Sequence, residues 1–127
     1  MTLQEICDNA KKIPIILMGY VLRLECDKYY VGISSNINKR IGEHMTGNGS
    51  KWTKRYKLIE IISIEVVPSI YYIWENNKTL ELMLEFGWKN VRGGSWTKVD
   101  MKSPPKLIRS RVYQGGPQGN WKGAPPV

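Results

Sequence analysis

Two tyrosines ten residues apart, Tyr20 and Tyr30, and an arginine and histidine four apart, Arg40 and His44, have types and spacings that could do chemistry together. A phenol or an imidazole can pass a proton, and a guanidinium presents a planar pair of donors to a phosphate. At i and i+4, Arg40 and His44 leave the same side of a helix. Tyr20 and Tyr30, on the two arms of a hairpin, share one face of a sheet. Such a set beside a basic loop suits a phosphodiester. The loop supplies Lys51, Lys54, Arg55 and Lys57, and Lys39 lies on the helix before it. Glu43 is the only acid between Asn36 and Lys57, so the run suits contact with a DNA backbone.

The chain as a whole narrows the choice. Its 127 residues leave room for one core. Nineteen Lys+Arg stand against 11 Asp+Glu, a net charge of +8 that points to a polyanionic partner. Apolar residues make up 42%, enough to argue against wholesale disorder. Cys7 and Cys26 make no disulfide framework and sit in no metal-ligand spacing, so both are expected as reduced thiols in the interior. A single histidine excludes a structural zinc site. The longest apolar stretch, residues 13–22, holds Pro14 and Gly19 and is too short to span a bilayer. With no charged leader or cleavage site, the expectation is an intracellular protein with no membrane partner.

The elements that must position these residues follow from periodicity and turn chemistry. Leu3, Ile6, Cys7 and Ala10 have helical spacing, so residues 2–12 are expected as a short leading helix. Residues 13–24 are β-branched and aromatic, a strand, and E-C-D-K carries the hairpin turn with Asp27 as turn former. Y-Y-V-G-I-S-S is the returning strand. Ser35 or Asn36 then caps a helix through I-N-K-R-I-G-E-H-M, ended by Gly47. Residues 46–57 are expected as a loop, and residues 58–67 as a third strand bounded by Pro68. Residues 76–86 make a helix with Leu80, Met83 and Leu84 on its apolar side, stopped by Gly87. Residues 90–99 are a turn with room for a short strand. Trp52, Trp88 and Trp96 are expected to pack in the core or its turns rather than to stack on bases.

From Lys102 onward the chain holds five of its seven prolines, four glycines, five Lys/Arg and no acid, an extended basic Pro/Gly-rich tail. The expected fold is α+β, a small three-stranded antiparallel sheet flanked by helices over residues 1–101, with the tail over residues 102–127.

Over residues 18–96 this arrangement resembles the GIY-YIG nuclease family. The first motif stands as Met18-Gly19-Tyr20, keeping only the tyrosine in register, and the second as Tyr30-Val31-Gly32. The passage G-I-S-S-N-I-N-K-R-I-G-E-H places Arg40 at the family's arginine and His44 one turn on. The stretch W-E-N-N-K-T-L-E-L-M-L-E-F-G-W-K-N-V-R-G-G-S-W is similar to a subgroup, known mostly from viral and phage-like open reading frames, whose helix ends in an N-V-R-G-G turn. Arg92-Gly93-Gly94 is a tight turn and no phosphate fingerprint, with Asn90 tying it to the active face.

The resemblance implies an endonuclease that hydrolyses DNA phosphodiesters with one divalent metal, Mg²⁺ or Mn²⁺, and no small-molecule cofactor. One tyrosine would activate the water, while the other and Arg40 hold the phosphate and His44 serves as proton partner. A phenol with an ordinary pKa near 10 is a poor base at pH 7, so it needs help from a neighbour. The family's metal is held by a glutamate in A-L-x-x-E on the late helix. Laying Thr79-Leu80 over A-L puts Met83 in the carboxylate position, and a thioether does not ligate magnesium. Glu75, two turns before Met83, is the first candidate and Glu85, two residues beyond it, the second; Glu81 lies off that face. If none holds metal, the alternative is a catalytically silent DNA-binding module of the same fold.

Overall fold

The computed structural model describes residues 2–4, 16–68 and 71–109. Strand β1 (Met18–Leu24) and strand β2 (Lys28–Ser34) form the antiparallel hairpin at the centre, in the register Tyr20↔Gly32, Val21↔Val31 and Leu22↔Tyr30. Its turn is a single 3-10 turn, Glu25–Asp27, in which both Cys26 (φ 62°) and Asp27 (φ 54°) are left-handed. Asp27 tolerates that conformation well. Cys26 is carried to the tip and is exposed, which corrects the expectation of an interior thiol. Cys7 and most of the expected leading helix lie outside the described residues, of which 3–4 are helical.

Helix α1 (Ile37–Met45) begins where expected, and Asn36 is the cap: its side-chain oxygen accepts from the Lys39 N–H at 3.3 Å. The stretch after it is not all loop. Ser50 caps a short helix, α2 (Lys51–Arg55), by accepting from the Thr53 N–H at 3.1 Å. Strand β3 (Leu58–Val66) then pairs antiparallel with β1. Helix α3 (Tyr71–Phe86) starts five residues earlier than the sequence pattern suggested, because residues 71–75 supply aromatic and polar positions without the apolar spacing that marks a helix. Gly87 (φ 94°) ends it.

The sheet has four strands rather than three and is mixed rather than purely antiparallel. Strand β4 (Val91–Gly93) lies parallel to β2, with Tyr29↔Val91 and Tyr30↔Arg92, and the order is β3-β1-β2-β4. The crossover through α3 returns the chain beside the free edge of β2, where Val91 is fully buried. The sequence left room for a short strand here, but three residues are too few for periodicity to give its bounds or its partner.

Residues alternate between two packed layers. Val21, Val31 and Val91 face α3 and join Leu82 and Met83 in one core cluster. Tyr20, Leu22, Leu24 and Tyr30 face α1 and α2 and join Trp52 in the other. Trp88 and Trp96 pack against the first cluster, as expected of packing residues. Ile108 also belongs to the first cluster and Pro105 is buried, so the chain is anchored past residue 102, with a helical turn at 106–109. The rest of the expected tail, residues 110–127, lies outside the described residues.

Strand β3 forms one edge of the sheet and is exposed along nearly its whole length, including Ile59, Ile61, Ile62, Ile64 and Val66. Its pairing with β1 shifts twice. Val21 faces Ser63 and Leu22 faces Ile61, skipping Ile62; Arg23 faces Glu60 and Leu24 faces Leu58, skipping Ile59. These are two β-bulges on an edge strand.

Candidate active site

Four of the residues singled out by spacing meet on the α1 side of the sheet. The cross-strand neighbour of Tyr20 is Gly32, and a Cβ there would fall on the Tyr20 phenol, so the glycine is what lets the ring lie flat across β2. The Tyr20 hydroxyl lies 2.8 Å from Nε2 of His44, and both side chains are 1% exposed. The Tyr20 and Tyr30 ring centres are 6.3 Å apart, and Tyr30 lies 5.0 Å from the His44 ring. Arg40, one turn before His44, bridges Glu43 at 3.2 Å and lies near enough for its guanidinium to favour the ionised form of both phenols. Glu75, from the second turn of α3, is half-buried and close enough for its charge to act on both phenols.

The electrostatics follow from burial. Desolvation pushes Tyr20 well above its ordinary value, and Tyr30 beside it adds to the shift; Arg40 pulls downward and does not win. Burial raises Tyr30 in the same way against the opposing pull of Arg40. Both phenols are therefore neutral at rest. Burial, with the Arg40 charge adding to it, lowers His44 to about 4, so its ring is neutral at pH 7 and one nitrogen is free to accept. Burial also raises Glu75, whose carboxylate has no hydrogen-bond or ion-pair partner among the described residues.

Sequence reasoning missed the residue behind His44. Thr53 of α2 is 1% exposed, and its Oγ1 lies 2.8 Å from His44 Nδ1. The signal was present in Ser50-x-x-Thr53, a capping spacing inside what reads as a basic loop. The cations of that stretch, Lys51, Lys54, Arg55 and Lys57, are exposed, as is Lys39.

The GIY-YIG catalytic-domain model matches residues 18–93, well over half of the chain and all of the site just described. The chain belongs to the GIY-YIG family. Among curated proteins it is 36% identical over 68 residues to a UPF0213 protein of Syntrophus aciditrophicus, an alignment covering 51% of this chain and 78% of that one. It is 38% identical over 45 residues to a UPF0213 protein of Cupriavidus necator, covering 34% and 49% of the two chains. A UPF0213 protein of Fusobacterium nucleatum is 38% identical over 42 residues, covering 33% and 42%. The chain thus spans less than half the length of the last two. No solved structure matches it.

Two departures from the GIY-YIG motifs have physical explanations. Gly19 stands in the middle of the first motif, and a Cβ there would overlap the Trp74 ring, so the indole of α3 occupies the space a side chain would take. Met83, in the family's carboxylate position by the A-L register, is 1% exposed in the α3-side core and on the opposite face of the sheet from Tyr20. The carboxylate that this GIY-YIG domain brings toward its tyrosines is Glu75. Glu85 is exposed near the far end of α3, about 15 Å along the axis and roughly 280° around it from Glu75. Glu81 is exposed and bridges Lys78 at 3.5 Å.

Glu75 fits a hard cation. Its unpaired carboxylate is the hard oxygen donor that Mg²⁺ and Mn²⁺ prefer, and its charge is felt at both phenols. Among the described residues no three acidic, histidine or cysteine side chains converge as a metal cage. A cation at Glu75 would therefore complete its shell with water and phosphate oxygens, which is the habit of Mg²⁺.

The N-V-R-G-G turn is held by other residues than expected. Asn90 accepts from Lys28 Nζ at 2.7 Å and donates to the Phe86 carbonyl at 2.7 Å, so it ties the end of α3 to the start of β2 and does not reach the active face. Asn76, next to Glu75, takes that role: its side chain accepts from the Ser95 N–H at 2.9 Å. No helix among the described residues is long and apolar enough to cross a membrane.

Proposed function

We propose that the chain is a metal-dependent endonuclease that hydrolyses DNA phosphodiesters, with Mg²⁺ or Mn²⁺ held at Glu75. The observation that carries this reading is the 2.8 Å contact between the Tyr20 hydroxyl and a neutral His44. A phenol held neutral by burial is no base by itself. It can become one if its own proton leaves as the water's proton arrives.

In that scheme Tyr20 oxygen takes a proton from the attacking water while its hydroxyl proton passes to His44 Nε2. The water oxygen forms the new bond to phosphorus, and the bond to the leaving oxygen breaks. Arg40 and the Tyr30 hydroxyl hold the non-bridging oxygens, where charge builds up. Glu75 would hold the cation, which would supply charge neutralisation to the phosphate undergoing cleavage. His44, being a weak base, gives the proton up again and returns to neutral. Lys39, Lys51, Lys54, Arg55 and Lys57 supply the phosphate-backbone contacts that position the substrate. The N-V-R-G-G turn supports a place in the viral and phage-like subgroup, and the charge and site chemistry support an intracellular enzyme without a small-molecule cofactor.

The test is cleavage of supercoiled plasmid and of flapped duplexes with Mn²⁺. Wild type is expected to nick, and Arg40→Ala to lose at least about a hundredfold in turnover while remaining folded. A wild type that binds DNA without cutting any of these substrates would make the chain a silent DNA-binding module instead.

A further inference from the structure

A chain of short contacts runs from Tyr20 through His44 and Thr53 to the cap of α2. Tyr20 is buried and its hydroxyl proton needs an acceptor. Arg40, whose guanidinium acts on that phenol, is a donor only, so among the described residues the proton goes to His44 Nε2. A neutral imidazole that accepts at Nε2 carries its hydrogen on Nδ1. That hydrogen points at Thr53 Oγ1, 2.8 Å away, and Thr53 in turn donates to the Ser50 carbonyl at 3.1 Å. Ser50 holds Thr53 from the other side, accepting its backbone N–H as the cap of α2. The contacts run unbroken from the phenol to the helix cap.

We infer that Thr53 is the positioning residue that sets the tautomer of His44, holding the hydrogen on Nδ1 so that Nε2 stays open to the Tyr20 proton. This inference rests on the nuclease reading for its consequence but not for its geometry. Without the acceptor at Nδ1, the ring can turn its hydrogen onto Nε2, which then donates to Tyr20 oxygen and blocks the path by which the phenol would shed its proton. Thr53 touches neither water nor phosphate in this scheme, and it acts only through His44.

His44 is the chain's single histidine, so its ring nitrogens give an unambiguous signal. The experiment is ¹⁵N NMR of histidine-labelled protein at pH 7.5, together with single-turnover cleavage of a flapped duplex with Mn²⁺. Wild type is expected to show a protonated, pyrrole-type Nδ1 and a bare, pyridine-type Nε2. Thr53→Val, which keeps the shape and removes the acceptor, is expected to move the hydrogen toward Nε2. It should also slow cleavage at least tenfold with DNA affinity unchanged, and Thr53→Ser should restore both. A wild type with its hydrogen on Nε2, or a Thr53→Val protein with unchanged nitrogen signals, overturns the inference, as does a Thr53→Ser protein that restores neither. If Thr53→Val does not fold, the wild-type and Thr53→Ser spectra still decide the tautomer. The expected spectra in a wild type that cuts no DNA would sustain the assignment and overturn the nuclease reading alone.

Discussion

Alternate residues of β1 and β2 reach opposite sides of one sheet, and the two sides are filled in contrasting ways. Toward α3 stand Val21 and Val31, met by Leu82, Met83 and Val91 in an aliphatic layer. Toward α1 and α2 stand Tyr20 and Tyr30, which with His44, Arg40 and Thr53 make a layer of polar tips on apolar bodies. Both layers are closely buried, yet only the second sets a histidine and an arginine beside its phenols. Burial serves cohesion on one face and shifts ionisation on the other. A two-residue period is enough to keep the two tasks apart, since one residue of slip would exchange them.

The contrast is broken most completely at Glu75. Glu75→Ala should abolish both Mn²⁺ binding and cleavage, whereas Glu85→Ala and Glu81→Ala should leave both nearly intact, as read by Mn²⁺ titration and plasmid nicking. If Glu85→Ala alone abolishes them, the metal belongs at the other end of α3.

On the aliphatic face, Met83→Ala should remove about 3 kcal/mol of stability by denaturant titration while the metal affinity of the folded fraction is unchanged. A matching loss of Mn²⁺ affinity would mean that the faces are not independent.

His44 sharpens the comparison through pH. Its folded value of about 4 lies below the ordinary 6.5, so between those values the unfolded chain binds the proton and the folded chain does not. Stability should therefore fall as pH drops from about 6.5 to about 4, by on the order of 1–3 kcal/mol. His44→Gln should flatten that slope, and an unchanged slope would locate the proton uptake elsewhere.

The smallest effect concerns the end of the chain. Because Ile108 is anchored in the aliphatic layer, truncation after Arg109 should leave thermal stability unchanged and weaken DNA affinity less than tenfold. It removes two cations, Arg111 and Lys122, so the salt slope should fall by roughly two. Truncation after Met101 should destabilise as well, and equal melting temperatures for the two would deny Ile108 its anchoring role.

Much of this was legible in the sequence, and the reasons differ by element. The hairpin, α1 and β3 could be read because alternation, a cap and a closing proline coincide with their ends. Tyr20, Tyr30, Arg40 and His44 could be read as a set because a hairpin and one helical turn fix their spacing. A short strand near β4 was allowed for, but its bounds and partner were hidden, because three residues carry no period and the pairing with β2 depends on the crossover. Helix α2 was hidden by its charge, which made a capped helix look like a solvated loop, and Thr53 went with it. Which of Glu75 and Glu85 lies toward the tyrosines needed the axial position of α3 against the sheet, which no spacing within the helix supplies. Cys26 was misplaced because composition alone puts a thiol inside, while the left-handed turn carries this one outward.

The doubled bulge of β3 bears on how the protein stays apart from its own copies. A nine-residue edge strand with five exposed β-branched side chains offers a second β3 a ready template for joining end sheets into a fibre. At Ile62 and Ile59 the extra residue throws the outward amide row out of step, so an incoming strand meets a line of donors and acceptors that changes phase twice along its length. The irregularity adds to the charges of Glu60 and Glu65 on that strand, and the isoleucines between them can remain apolar without becoming an adhesive.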